Sequence, residues 1–187
     1  NCILSITGNI SFKESVRLTE KWFGPIPHRE VPQRNLPAEP EQTEVRRKTV
    51  ERNVPLDALY MAFHMCSRRD KDYYAYDMLT DILSSGRSSR LIQNLVVKNK
   101  IFNSVDAYIS GSIDEGLLHI TGKPAEGISL EQAEQAVWDE IEKLRTTPVE
   151  SSELEKVKNR YESEQIFGNI NYLNVATNMA YLELIGK

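Results

Sequence analysis

Three side chains, His64, Cys66 and His119, could meet as the ligands of one metal site. His64 and Cys66 sit two residues apart on one face of a segment with strand-like alternation, and His119 lies on a second such segment. Imidazole and thiolate both suit zinc, yet no His pair stands at i, i+4 and no Cys-x-x-Cys occurs. All three are therefore read as core or sheet-face residues, and no metal ligand is assigned. Glu150, Glu153, Glu155, Glu162 and Glu164 crowd one helical stretch. Two of them could form an acid–base pair, but Lys and Arg at neighbouring positions favour a solvated face, so no catalytic residue is assigned. The remaining candidate is Ser84-Ser85-Gly86-Arg87-Ser88-Ser89. Here one helix ends and another starts at serines, where unpaired amides and the helix dipole attract anions. With a single Gly and no Lys it is not a phosphate loop. Helix capping is its first reading. The alternative is contact with an anion.

The elements that must position these residues are legible from periodicity. Residues 2–7 form an apolar run that reads as a buried strand, closed by Gly8-Asn9. Ser11 and Glu14 have capping-box spacing, and the helix they open carries Val16, Leu18, Trp22 and Phe23 before Pro25 and Pro27 stop it. Residues 28–42, rich in Pro, Glu, Arg and Gln, read as an extended linker. Strands are expected at 45–52 and 58–66, the second with Leu59, Met61, Phe63 and Met65 on one face. A helix follows through Tyr73, Tyr76, Leu79, Ile82 and Leu83, then one with Leu91, Ile92, Leu95 and Val96 inward. Residues 101–109 and 117–122 read as an antiparallel pair with two glycines in the connection. Ser129 and Gln132 mark a second capping box before Ala133, Val137, Ile141 and Leu144. Ser151 to Glu155 signals another helix, and a last one covers about 172–185. The fold class is α+β: a two-layer domain with an antiparallel or mixed sheet packed on helices.

The 187 residues suffice for a sizeable core, and the net charge of −4 gives no basic stripe for nucleic acid. No apolar run reaches the roughly 18–20 residues that span a bilayer, so a soluble protein is expected. Cys2 and Cys66 read as two buried thiols, not a disulfide. Asn1 is not an initiator Met and the apolar run starts at once, while the end falls at or just past a helical pattern. The chain is thus expected to be cut from a longer one, with its C-terminal domain truncated, and a missing leader carries no information on compartment. Cytoplasm and periplasm, for a bacterial protein, both stay open.

Taken in order, several segments resemble the second, non-catalytic domain of the insulinase/pitrilysin/processing-peptidase family of zinc metallopeptidases (inverzincins). Asn1 to Ile10 and the helix to Trp22-Phe23-Gly24-Pro25-Ile26-Pro27 look like the strand–helix that closes the preceding domain. Tyr73-Tyr74-Ala75-Tyr76-Asp77 through Ser89-Arg90-Leu91 resembles the family's helix pair, and Pro148 to Lys158 its next helix start. The His-x-x-Glu-His zinc motif of the family is absent from this sequence. The resemblance implies 1–27 as the end of a preceding domain, 28–44 as linker and 45–187 as the C-terminal domain. It implies a chamber-forming, peptide-binding role, no cofactor in this chain, and zinc in a catalytic domain, in cis or on a partner subunit. Alone, the chain should cut nothing. The family's substrate-gripping Arg and Tyr, seven residues apart, fall on Val96 and Asn103 here. Val offers no guanidinium fork, and Asn keeps a donor but no phenol. A glycine-rich loop of processing peptidases that touches substrate lies near the Ser84–Ser89 turn, so the resemblance implies Gly86, Ser88 and Arg90, with Asn103, as candidate peptide contacts. The sheet edge offered to peptide is expected within 101–109, and residues 2–7 are expected to dock on a sheet edge left open by truncation or on a neighbour's sheet. The alternative is a non-enzymatic partner or scaffold subunit of the same fold.

Overall fold

The computed structural model describes residues 2–30, 35, 37, 39–111 and 113–186. Part of the expected linker, and Ser112 in the expected β-hairpin connection, lie outside them. Two compact units are formed, one by Val54–Gly168 and the other by Asn1–Asn53 with Asn169–Gly186.

The larger unit is built on a three-stranded antiparallel sheet: β1 (Leu59–Ser67), β2 (Phe102–Ser110) and β3 (Glu115–Pro124), in the order β1-β3-β2. Tyr108 faces His119 and Ala62 faces His119 from the other side, so β3 is central. Alternation sends Met65, Val105, Ala107, Leu118 and Ile120 into the core. Helix α2 (Tyr73–Ser84) packs on β2, and α3 (Leu130–Thr146) packs on β1. Leu83, Ala133 and Val137 close the core from the helical side. The α+β class follows directly, with an antiparallel sheet. Gly111 and Gly116 serve close approach: a Cβ at Gly111 would strike the Tyr73 ring, and one at Gly116 would lie 2.6 Å from the Ser110 carbonyl.

After α2, residues 92–98 form a π-helix, not the α-helix that periodicity suggests. Its C-terminal bonds are wide, from Asn99 N–H to the Asn94 carbonyl (3.0 Å) and from Ile101 N–H to the Leu95 carbonyl (2.8 Å). The wide turn keeps Leu91 and Leu95 buried together while Asn94 reaches Glu140 on α3, 2.7 Å away. Helix α4 (Ser151–Gly168) lies against α2, with Val157 buried and the Tyr74 and Tyr161 rings edge-on.

The second unit holds α1 (Phe12–Phe23) and α5 (Tyr172–Ile185). Ser11 Oγ accepts from Glu14 N–H, but the Glu14 carboxylate pairs with Arg17 instead of closing the box. The box at Ser129 and Gln132 is complete in both directions. Residues 2–7 join no ladder, contrary to the expected buried strand and to its pairing with an edge of this chain's own sheet. Leu4 and Ile6 stay exposed, and Cys2 is exposed as well, where a buried thiol was expected. Residues 45–52 form no strand either: Val45 and Val50 are an odd number apart and cannot share one sheet face.

Candidate functional site

The Ser84–Ser89 turn is built for a tight reversal. Gly86 sits at φ +81°, a left-handed conformation that a side chain would strain. Ser89 is buried; its hydroxyl donates to the Gly86 carbonyl (2.7 Å) and its own carbonyl receives Gln93 N–H (2.8 Å). Ser89 thus ties the turn together through its hydroxyl and starts the helix through its carbonyl, with no side-chain cap on a helix amide, while Ser88 points elsewhere.

Residues 86, 88 and 90 each meet α4. Arg90 donates from Nε and Nη2 to both carboxylate oxygens of Glu153, at 3.0 and 2.8 Å for the shorter contacts. Both side chains are 18% exposed, and the hydrogen bond to Glu153 holds the Arg90 guanidinium above its ordinary pKa. Lys156 Nζ donates to Ser88 Oγ at 2.7 Å. Arg160 Nη1 would lie 3.8 Å from a Cβ at Gly86. Positions 153, 156 and 160 form one stripe of α4, and that stripe covers the turn. Beside it opens a cleft of about 440 Å³ lined by Ser88, Arg90, Glu150, Ser152, Glu153 and Lys156. Glu153 was expected on a solvated face; instead it is the fixed partner of Arg90. Its role was hidden because the two residues lie 63 positions apart. Glu164 does follow the expected pattern, pairing with Arg160 one turn away at 2.7 Å.

The other candidates lie outside this cleft. Val96 is packed against the core from the π-helix. Asn103 is the unpaired residue of a β-bulge between Phe102 and Ser104, and its amide donates to the Pro124 carbonyl at 3.1 Å. On the sheet face opposite the core, the Tyr108 ring stacks on His119 (4.9 Å, 18° between planes), and His119 Nε2 bonds Ser110 Oγ at 2.8 Å. This pair was missed in the sequence; only the cross-strand register of 108 with 119 reveals it. Among the described residues, no cluster of three or more His, Cys, Asp or Glu side chains could hold a metal ion, so His64, Cys66 and His119 do not make a site. Strand β2 is an edge of the sheet, but its backbone at Ala107 is taken. Ala107 N–H donates to Ser84 Oγ (2.8 Å) and the Ser84 hydroxyl reaches the Ala107 carbonyl (3.0 Å), so an added strand is blocked there. Among the described residues, no helix is long and apolar enough to cross a membrane.

A three-stranded antiparallel sheet packed on helices defines an α+β domain. The model of the family described as the peptidase M16 inactive domain matches residues 1–161, and the chain belongs to that family. The "Zinc protease PqqE" of Helicobacter pylori is 23% identical over 163 residues, covering 84% of this chain and 36% of that protein. The "Uncharacterized zinc protease YmxG" of Bacillus subtilis is 26% identical over 168 residues, covering 90% and 39%. The crystal structure of a protease from Helicobacter pylori superposes with a TM-score of 0.86 at 22% identity, covering 96% of this chain and 44% of that one. The chain spans less than half the length of these relatives.

Proposed function

We propose that this chain forms part of the chamber wall of a zinc-dependent metallopeptidase, binding and confining peptide while another domain cuts. The observation that carries this reading is the match of 161 residues to an inactive peptidase domain. The two curated relatives are both called zinc proteases, which favours a catalytic half on the same polypeptide. Zinc would polarise water and carbonyl there; no residue of this chain is assigned to hold it. Residues 1–27 would close the preceding domain, 28–44 would link, and 45–187 would form the wall. Gly86, Ser88, Arg90 and Asn103 are the proposed peptide contacts. Of these, Ser88 and Arg90 line the cleft beside α4.

A photoreactive peptide substrate bound to the native protein tests this. Labelling on this chain, with peptide cleavage by the native protein, supports the reading; cleavage with all label elsewhere overturns it. One observation favours a second reading, a partner or scaffold subunit without enzymatic activity. Val96 is committed to the core and Asn103 to Pro124, so the family's gripping pair is not replaced at its own positions. A native protein without zinc, or a co-purifying zinc-bearing subunit, is the outcome that reading requires.

A further inference from the structure

We propose that the cleft between the Ser88–Arg90 turn and the first turns of α4 binds a peptide carboxylate, gripped by Lys156 and by the outer edge of Arg90. This rests on the peptide-binding reading above and names the chemistry it would use. Glu153 takes Nε and Nη2 of Arg90, which fixes the guanidinium and leaves its Nη1 donors unspent. Lys156 spends one donor on Ser88 Oγ and retains two. Both cations line the same cleft, together with the Ser88 and Ser152 hydroxyls. The lining sets two cations, Arg90 and Lys156, against two carboxylates, Glu153 and Glu150; Arg90 and Glu153 neutralise each other, so Lys156 carries the charge offered to an anion and Arg90 adds hydrogen-bond donors. The cleft also opens at the start of α4, where the helix dipole adds positive potential. A carboxylate with an N–H nearby fits this set: the anion on Lys156, Arg90 and the hydroxyls, the N–H donated to Glu150. The free C-terminus of a peptide has that pattern, and so does an aspartate carboxylate with its own backbone amide.

The two sources are separable by titrating the 187-residue protein and following its backbone amide NMR signals. The probes are N-acetyl-trialanine with a free carboxylate, its C-terminal amide, and amidated N-acetyl-Ala-Asp-Ala. Shifts at Gly86–Ser89 and Ser151–Lys156 with the free acid but not the amide support the proposal with a C-terminal ligand. The same shifts with the aspartate peptide support an internal aspartate as the ligand. Lys156→Met, which removes a single exposed hydrogen bond, should weaken binding of the active acid at least tenfold, and Lys156→Arg should restore most of it. Equal shifts with the amide, or unchanged affinity in Lys156→Met, overturn the proposal. Shifts confined to other surfaces reject the cleft while leaving peptide binding by the domain intact. No shift with any probe rejects the cleft and removes support from the binding role as well.

Discussion

Glu153 presents both carboxylate oxygens to Arg90, and each partner has lost most of its contact with water. Such a fork is stronger than a surface pair because little solvent screens it and the geometry is fixed by two parallel bonds. Arg90→Ala leaves the half-buried carboxylate without its partner and should cost about 1–3 kcal/mol, read from urea unfolding. In a double-mutant cycle with Glu153→Ala the two losses should not add. Asp77 on α2 behaves in the opposite way. Burial raises its carboxyl pKa first, and Asp81 and Glu164 raise it further, against the pull of Arg68. A raised folded pKa means that protonation favours the folded state, so the charged form costs stability above that pKa and the cost disappears as pH falls through the carboxylate range. Asp77→Asn should therefore raise Tm at pH 7, with the gain vanishing in acid. A gain that is constant from pH 7 to pH 3 would contradict the assignment. At this scale the sequence exposes residue types well and partners poorly. Gly86 and Ser89 are visible because local backbone geometry demands them. Glu153 and Lys156 are invisible because their partners lie in another segment.

The elements were readable wherever one period dominated. Strands β1 to β3 and helices α2 and α3 appear close to where alternation and capping place them, because each buries one clear face. Residues 2–7 and 45–52 fail for a common reason: a strand needs an edge to pair with, and neither segment meets one among the described residues of its own unit. The π-helix was also hidden, since Leu91 and Leu95 suit an α-helix equally well. What selects it is the buried Glu140, 2% exposed, which accepts from Asn94 and from Lys143 Nζ at 2.6 Å. Glu140→Ala should cost about 1–3 kcal/mol and speed hydrogen exchange at Asn99 and Ile101, whose amides form the wide bonds. Glu140→Gln, which can still accept from Asn94, should recover part of both. Gly122 supplies the sharpest packing test. A Cβ there would lie 2.5 Å from the buried Phe102 ring, so Gly122→Ala should destabilise by about 1–3 kcal/mol and lower Tm.

Across the whole molecule, burial is uneven. The 54–168 unit has a continuous core, whereas the unit containing α1 exposes Phe12 (86%), Trp22 and Phe23. The same asymmetry appears in chemistry: the described residues carry a half-buried Arg–Glu fork and a polar cleft, but no cluster able to ligate a metal. The match to an inactive peptidase domain is what supports the proposed role, in which another domain would carry the reaction. The most direct measurement is the intact mass and zinc content of the native protein carrying this chain, with peptide hydrolysis assayed alongside. The expected result is a polypeptide more than twice this length, holding one tight zinc and cleaving peptide, while the 187 residues alone do neither. Stoichiometric zinc and peptide cleavage by the isolated 187 residues would contradict it.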